Sequence, residues 1–130
     1  MNYASFNLYG TDDLTGLNNK AAFNMTRAVI ESEISMGRAD FSLIIMDVNN
    51  LKIINDSLGH ELGDELLRHA VRCMRKAFVG YPLYRIGGDE FAAIINHAEP
   101  KGLVQKLQNI TAESSKEDEE LFHCSYQIAA

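Results

Sequence analysis

The order of hydrophobic and polar positions predicts two amphipathic helices with a buried strand between them. Residues 18–36 and 61–78 place apolar side chains every three or four positions, which is typical of helices that cover a core. The residues on the shared face are Phe23, Thr26, Ile30 and Ile34 in the first segment and Leu62, Leu66, Ala70 and Met74 in the second. Gly37 is a stop signal for the first helix. The run FSLIIMDV at 41–48 predicts a strand that is covered on both faces.

The rest of the chain predicts further strands and helices. Helices are expected at 49–57 and 101–110, strands at 82–86, 91–96 and 121–129, and a solvated acidic loop at 113–120. The strands at 82–86 and 91–96 flank a Gly-Gly pair and therefore predict a β-hairpin. Helices collected on a largely antiparallel sheet indicate an α+β sandwich.

Composition and charge exclude several classes of protein. The 130 residues favour one domain, and 46% hydrophobic with 23% charged residues is typical of a globular protein. No apolar run reaches the roughly 20 residues that cross a bilayer, so we expect no membrane segment. A net charge of −6 disfavours a nucleic-acid polymer as ligand. Two cysteines without a pairing pattern indicate free thiols and a cytoplasmic location.

The hairpin tip carries the first candidate chemistry. In Gly87-Gly88-Asp89-Glu90 the glycines permit positive φ angles and let a ligand approach the backbone. The two carboxylates could hold a metal ion or accept a proton. An ordinary Gly-Gly turn with solvated acids explains the same four residues, and the motif alone is a weak signal.

A second acid stands at the end of the buried strand. Asp47 occupies the place where open sheets present ligand-binding residues, although an N-cap for the next helix explains it equally. If the hairpin neighbours this strand, Asp47 and Asp89 can share a pair of Mg²⁺ ions. Two metal ions suit in-line attack at phosphorus, because they stabilise the entering and the leaving oxygen.

Asn55 and Asp64 bracket the turn between two predicted helices. A carboxylate can accept hydrogen bonds from N1 and N2 of guanine, and an amide can meet O6 or N3. Adenine has no N1 hydrogen, so an aspartate here disfavours it. Helix capping is the alternative role for both residues.

Three blocks together resemble the GGDEF family of diguanylate cyclases. They are residues 12–19 (DDLTGLNN), 47–64 and the signature 85–91 (RIGGDEF), and they follow the family's order along the chain. The resemblance implies a palm or ferredoxin-like fold that is nucleotidyl-cyclase-like, with a mostly antiparallel central sheet flanked by helices. It also implies a bacterial signalling protein.

The resemblance assigns a role to each matching residue. Asp47 and Asp89, with the backbone carbonyl of Val48, are expected to bind two Mg²⁺ ions, for which Mn²⁺ is an alternative. Asp89 is favoured as the base that removes the proton of the attacking 3′-hydroxyl, and Glu90 is its catalytic neighbour.

The remaining matched residues are expected to hold GTP. Asn55 and Asp64 match the guanine-binding pair, and Lys52 matches a catalytic lysine near the phosphates, where a point charge fits. The backbone of Gly87 and Gly88 is expected to lie against the nucleotide.

The implied activity is the condensation of two GTP molecules into cyclic di-GMP and pyrophosphate. Since one site holds one GTP, a homodimer is expected to be the catalytic unit. An upstream sensor domain is also expected. We interpret residues 1–10 as a lead-in and 11–130 as a GGDEF domain without the family's C-terminal helix and closing strand, and therefore expect weak activity. The alternative is a GTP-binding regulatory module without catalysis, which Asn49 favours because the family has an acid there.

Overall fold

A four-stranded antiparallel sheet forms the centre of the molecule. The computed structural model describes residues 10–38, 40–96, 99–114 and 121–129. In chain order the elements are α1 (Lys20–Ser35), β1 (Phe41–Val48), α2 (Leu51–Leu58), α3 (His60–Ala77), β2 (Leu83–Arg85), β3 (Glu90–Asn96), α4 (Pro100–Ser114) and β4 (Phe122–Ala129). The strand order is β2-β3-β1-β4, and every neighbouring pair is antiparallel. The predicted α+β class and the β2–β3 hairpin are confirmed.

The two faces of β1 are covered to different extents. Its even-numbered residues from 42 to 48 are buried, and Ile44, Met46 and Val48 belong to the core that includes residues of α2, α3 and α4. Its odd-numbered residues are only half-buried. On the second face a smaller core forms around Phe23 of α1 and Tyr84 of β2, whose rings meet edge to face at 5.3 Å. Strand β1 is therefore covered on both faces as predicted, although less completely on the α1 side.

The buried side of α3 differs from the stripe predicted by periodicity. Leu62 is 49% exposed and Leu66 is half-buried, although both were expected in the core. The residues of α3 that are buried are Gly63, Leu67, Ala70, Val71, Cys73, Met74 and Ala77. A period of 3.6 is compatible with two overlapping stripes, and packing against the sheet selects the one that begins at Gly63. In α1, Ile34 is likewise 42% exposed.

Polar caps and left-handed residues set the helix ends. The Asn19 side chain accepts a hydrogen bond from the Ala22 amide at 3.0 Å, so α1 begins after it. Gly37, with φ +73°, ends that helix as predicted. Gly59, with φ +95°, is the single residue between α2 and α3 and brings the two helices into contact.

One predicted boundary differs from the structure, and another lies mostly outside the described residues. Helix α4 continues to Ser114, so the acidic loop expected from 113 begins later, and 115–120 lie outside the described residues. The lead-in at 1–10 lies outside them as well, except for Gly10. Within the described part of the chain, no helix combines the length and the apolarity needed to cross a bilayer.

Candidate functional site

Strand pairing places the end of β1 beside the Gly-Gly-Asp-Glu segment. Asp47 is the direct cross-strand partner of Glu90, and the Val48 amide donates a hydrogen bond to the Asp89 carbonyl at 2.9 Å. Residues more than 40 positions apart in the chain thus share one end of the sheet. Three carboxyl-bearing residues, Asp47, Asp89 and Glu90, come together there.

The accessibility of these three acids suits an ion shared with a substrate. Asp47 and Glu90 are half-buried and Asp89 is exposed. Within the described residues, no group of three or more His, Cys, Asp or Glu side chains is placed so that it could hold a metal ion by itself. Mg²⁺ is commonly held by one or two carboxylates together with substrate phosphates, so the oxygen donors present fit this ion. The N-cap position of α2 is Asn50, which excludes the helix-capping role for Asp47.

The glycines of the tip differ from expectation in their backbone angles. Neither Gly87 nor Gly88 has a positive φ, so the predicted use of that conformation is wrong. The turn is closed instead by the Ile86 and Gly87 amides, which donate to the Glu90 carbonyl at 2.9 and 3.2 Å. A Cβ atom on Gly88 would meet nothing within 4 Å. Space for a ligand therefore borders the backbone at Gly88.

Arg85 links the hairpin tip to Asp12 and uses all three guanidinium nitrogens to do so. Nη2 donates to the Gly88 carbonyl at 2.9 Å and Nε to the Gly87 carbonyl at 3.3 Å. Nη1 contacts both carboxylate oxygens of Asp12 at 3.3 Å. No role was predicted for Arg85 or Asp12 from the sequence, although both stand inside the motif blocks. The sequence signal for Arg85 is its position two residues before Gly87 and three before Gly88, whose carbonyls its guanidinium group can reach.

The turn that follows Asp12 and the charge of Arg85 both favour the ionised form of its carboxylate. Its carboxylate accepts hydrogen bonds from the Thr15 hydroxyl at 2.6 Å and from the Thr15 amide at 2.9 Å. Partial burial alone would raise the pKa of Asp12, but these hydrogen bonds and the positive charge of Arg85 together lower it below its usual value. The negative charge that holds Arg85 is therefore present at neutral pH.

The proposed purine-binding residues lie on two helices in contact. Asn55 is inside α2 and Asp64 near the start of α3, and both are half-buried. The N-cap of α3 is Gly59, without a side-chain hydrogen bond, so neither residue has the predicted alternative role of a cap. Lys52 is exposed near the first residue of α2, two residues after Asn50, whose φ of +66° turns the chain out of β1.

Strand β4 adds two residues that the sequence did not suggest. His123 is exposed and is the cross-strand partner of Asp47 on the side opposite Glu90. Burial raises the pKa of the neighbouring Cys124 thiol to about 11, and the negative charge of Asp47 contributes to this shift. Both observations depend on β4 pairing with β1.

Cys124 is expected to resist alkylation in the folded protein. Iodoacetamide attacks through the thiolate, so at pH 8 labelling should be on the order of a hundredfold slower than in urea-unfolded chain. Peptide mapping by mass spectrometry separates Cys124 from the buried Cys73. Because the folded pKa is the higher one, the associated stability is present below the unfolded pKa and is lost as pH rises towards 11. Equal rates in the folded and unfolded chain would contradict the shift.

Comparison with protein families gives one match over almost the whole chain. The family model described as "Diguanylate cyclase, GGDEF domain" matches residues 9–129. The chain is 36% identical over 97 residues to diguanylate cyclase DgcN of Escherichia coli, which covers 74% of this chain and 24% of that protein. It is 30% identical over 118 residues to cyclic di-GMP phosphodiesterase PdeB of Shewanella oneidensis, covering 90% of this chain and 13% of that protein.

Solved structures agree with this assignment at the level of the fold. The coiled coil and GGDEF domain of DgcB from Caulobacter crescentus, in complex with c-di-GMP, matches with a TM-score of 0.76 at 24% identity, covering 96% of this chain and 71% of that chain. The FimX GGDEF domain from Pseudomonas aeruginosa matches with a TM-score of 0.73 at 21% identity, covering 92% and 78%. The chain spans a quarter or less of the two curated relatives named above. By the match over residues 9–129, this chain belongs to the GGDEF domain family.

Proposed function

We propose that the protein is a diguanylate cyclase that condenses two GTP molecules into cyclic di-GMP. The observation that carries the proposal is the β1–β3 register, in which Asp47 faces Glu90 and Val48 binds the backbone of Asp89. This pairing assembles acids from two separate motifs at one open end of the sheet. The match of the family and the similarity to DgcN support the same reaction class.

The reaction is phosphoryl transfer in two equivalent steps. In each step a 3′-oxygen forms a bond to the α-phosphorus of the other GTP, the bond from that phosphorus to the bridging oxygen breaks, and pyrophosphate leaves. Asp89 is exposed at the tip and accepts the proton of the 3′-hydroxyl, with Glu90 beside it. Bound Mg²⁺ would supply charge stabilisation at the phosphates, with Asp47, Asp89 and the Val48 carbonyl as its protein ligands.

The helices next to β1 orient the nucleotide. Asp64 accepts hydrogen bonds from N1 and N2 of guanine, and Asn55 meets O6 or N3. The exposed Lys52 offers a positive charge to the phosphates. The exposed backbone of Gly87 and Gly88 borders the nucleotide, with open space at Gly88. Positioning and charge stabilisation supply most of the rate enhancement in chemistry of this kind.

Catalysis requires two copies of the chain. Each site holds one GTP, so the attacking hydroxyl and the phosphorus that it attacks come from nucleotides on different subunits. A homodimer whose two sites face each other is therefore the active unit. Control by a sensor domain upstream fits the much greater length of the curated relatives.

The decisive experiment incubates the purified chain with GTP and Mg²⁺ and identifies cyclic di-GMP by mass spectrometry. Product should disappear with EDTA and return with excess Mg²⁺ or Mn²⁺. Failure to bind GTP would refute the proposal. GTP binding without product would instead support a regulatory GTP-binding module, the function that Asn49 favours because a carboxylate is absent there.

Asp64→Asn is expected to reduce discrimination between bases. An amide cannot accept hydrogen bonds from N1 and N2 of guanine together, so the Kd for GTP should rise about tenfold or more while the Kd for ATP changes little. Titration with fluorescent GTP and ATP analogues measures both constants. Glu65→Gln is the matched control, because Glu65 is an exposed neighbour on α3 paired with Arg68. Unchanged selectivity in Asp64→Asn would exclude this residue from guanine recognition.

A further inference from the structure

The side chain of Asn55 occupies the space that a side chain at position 63 would need. Gly63 is buried near the start of α3, facing α2. A Cβ atom built on it would overlap the Asn55 Oδ1 atom and lie 2.9 Å from Asn55 Cγ. It would also lie 3.4 Å from Leu51 Cδ1, which is tight but tolerable. The conflict is therefore almost entirely with the Asn55 amide group.

We propose that Gly63 determines base specificity by leaving room for the Asn55 amide beside Asp64. This inference rests on the proposed function, because it assigns the Asn55 amide to the purine. Asp64 directly follows Gly63 in α3, so the space left at position 63 keeps the Asn55 amide against the turn of α3 that carries Asp64. Gly63 touches no substrate in this scheme and acts as a positioning residue for Asn55.

Backbone conformation does not explain a glycine at this position. Gly63 lies within α3, and its φ is outside the left-handed region, unlike the φ of +95° at Gly59. In a helix with ordinary angles, glycine costs about 1 kcal/mol relative to alanine. The overlapping atom belongs to the end of a flexible side chain, so alanine can be accommodated by moving the amide. Gly63→Ala should therefore fold at least as well as the unmodified chain while displacing Asn55.

The test compares nucleotide binding by Gly63→Ala and by Gly102→Ala. Gly102 lies in α4 and is exposed, and a Cβ atom added to it would meet nothing within 4 Å. We expect Gly63→Ala to raise the Kd of fluorescent GTP about tenfold or more, and to change the Kd of the ATP analogue less than about twofold. Gly102→Ala should change neither constant. Both variants should keep or increase their resistance to urea, because alanine favours the helix.

A double variant separates positioning of Asn55 from a general effect on packing. In an Asn55→Ala background the amide is absent, so adding Gly63→Ala should change the Kd for GTP less than about twofold. The side-chain amide signals of Asn55 in a ¹⁵N–¹H spectrum supply a readout without nucleotide, and Gly63→Ala should shift them while Gly102→Ala should not.

The remaining outcomes overturn either this inference alone or the proposed function together with it. An unmodified chain that does not bind GTP overturns the proposed function and this inference together. If the unmodified chain binds GTP, then normal GTP affinity in Gly63→Ala overturns the inference alone. If Gly63→Ala weakens GTP binding equally in the presence and absence of the Asn55 amide, the inference is also overturned, because the effect then comes from packing.

Discussion

Asp89→Asn is expected to lower the rate of cyclic di-GMP formation by about 100- to 10,000-fold, the range contributed by a positioned base. The substitution keeps the shape of the side chain but removes its negative charge and its capacity to accept a proton. The Asp89 side chain is exposed, and the hydrogen bond to Val48 uses its backbone carbonyl. The free energy of unfolding should therefore change by less than about 0.5 kcal/mol. Product formation at saturating GTP and Mg²⁺ measures the effect.

Asp13→Asn is the matched control for this prediction. Asp13 is an exposed aspartate in the 12–19 block, and its substitution changes the net charge by the same amount. Its rate should stay within about twofold of the unmodified chain, since it has no place in the proposed site. A comparable rate loss in both variants would indicate a general charge effect. Full activity in Asp89→Asn would remove this residue from the proposed chemistry.

Arg85→Met has the second large expected effect. The arginine links the carboxylate of Asp12 to two carbonyls of the tip, and methionine can make none of these contacts. We expect the free energy of unfolding to fall by about 2 kcal/mol, since the side chain is only 18% exposed. Displacement of the adjacent acids should lower the rate at saturating GTP about 100-fold. Urea denaturation and initial rates measure the two effects.

Arg68→Met and Arg85→Lys test the explanation for Arg85. Arg68 pairs with Glu65 on the exposed surface of α3, so its loss should cost less than about 1 kcal/mol and leave the rate unchanged. Lysine at 85 keeps the charge but cannot bind three acceptors in one plane, so only partial rescue is expected. Full rescue by lysine would mean that charge alone matters. Unaltered activity in Arg85→Met would show that the hairpin tip keeps its conformation without the contacts of Arg85.

The contribution of the Asp12–Arg85 pair to stability should depend on pH in one direction. The pKa of Asp12 is lower in the folded chain than its usual value. The stability that this provides is complete above the unfolded pKa of about 3.9 and is lost as pH falls through the folded value. Arg85→Met should therefore reduce the acid dependence of unfolding.

Local patterns predicted the helices and strands because the formation of each depends mainly on residues close together in the sequence. The apolar run at 41–48 matches β1 at both ends. Helix α1 (Lys20–Ser35) lies within two residues of the predicted 18–36 at each end, and Gly37 is its stop as predicted. Motif order and spacing indicate the family, and the family match confirms it. The side of α3 that packs on the sheet could not be predicted, because its periodicity allowed two overlapping stripes.

By itself, the sequence determined the family, the strand and helix order and the residue types of the candidate site, since motifs and periodicity are properties of short segments. Only the tertiary structure decided which distant groups meet. Arg85 reaches Asp12 across 73 positions, Gly63 makes room for Asn55, and His123 comes to lie opposite Asp47. Strand register and helix packing bring these groups together. Both depend on many weak interactions across the whole chain, so short sequence patterns do not predict them.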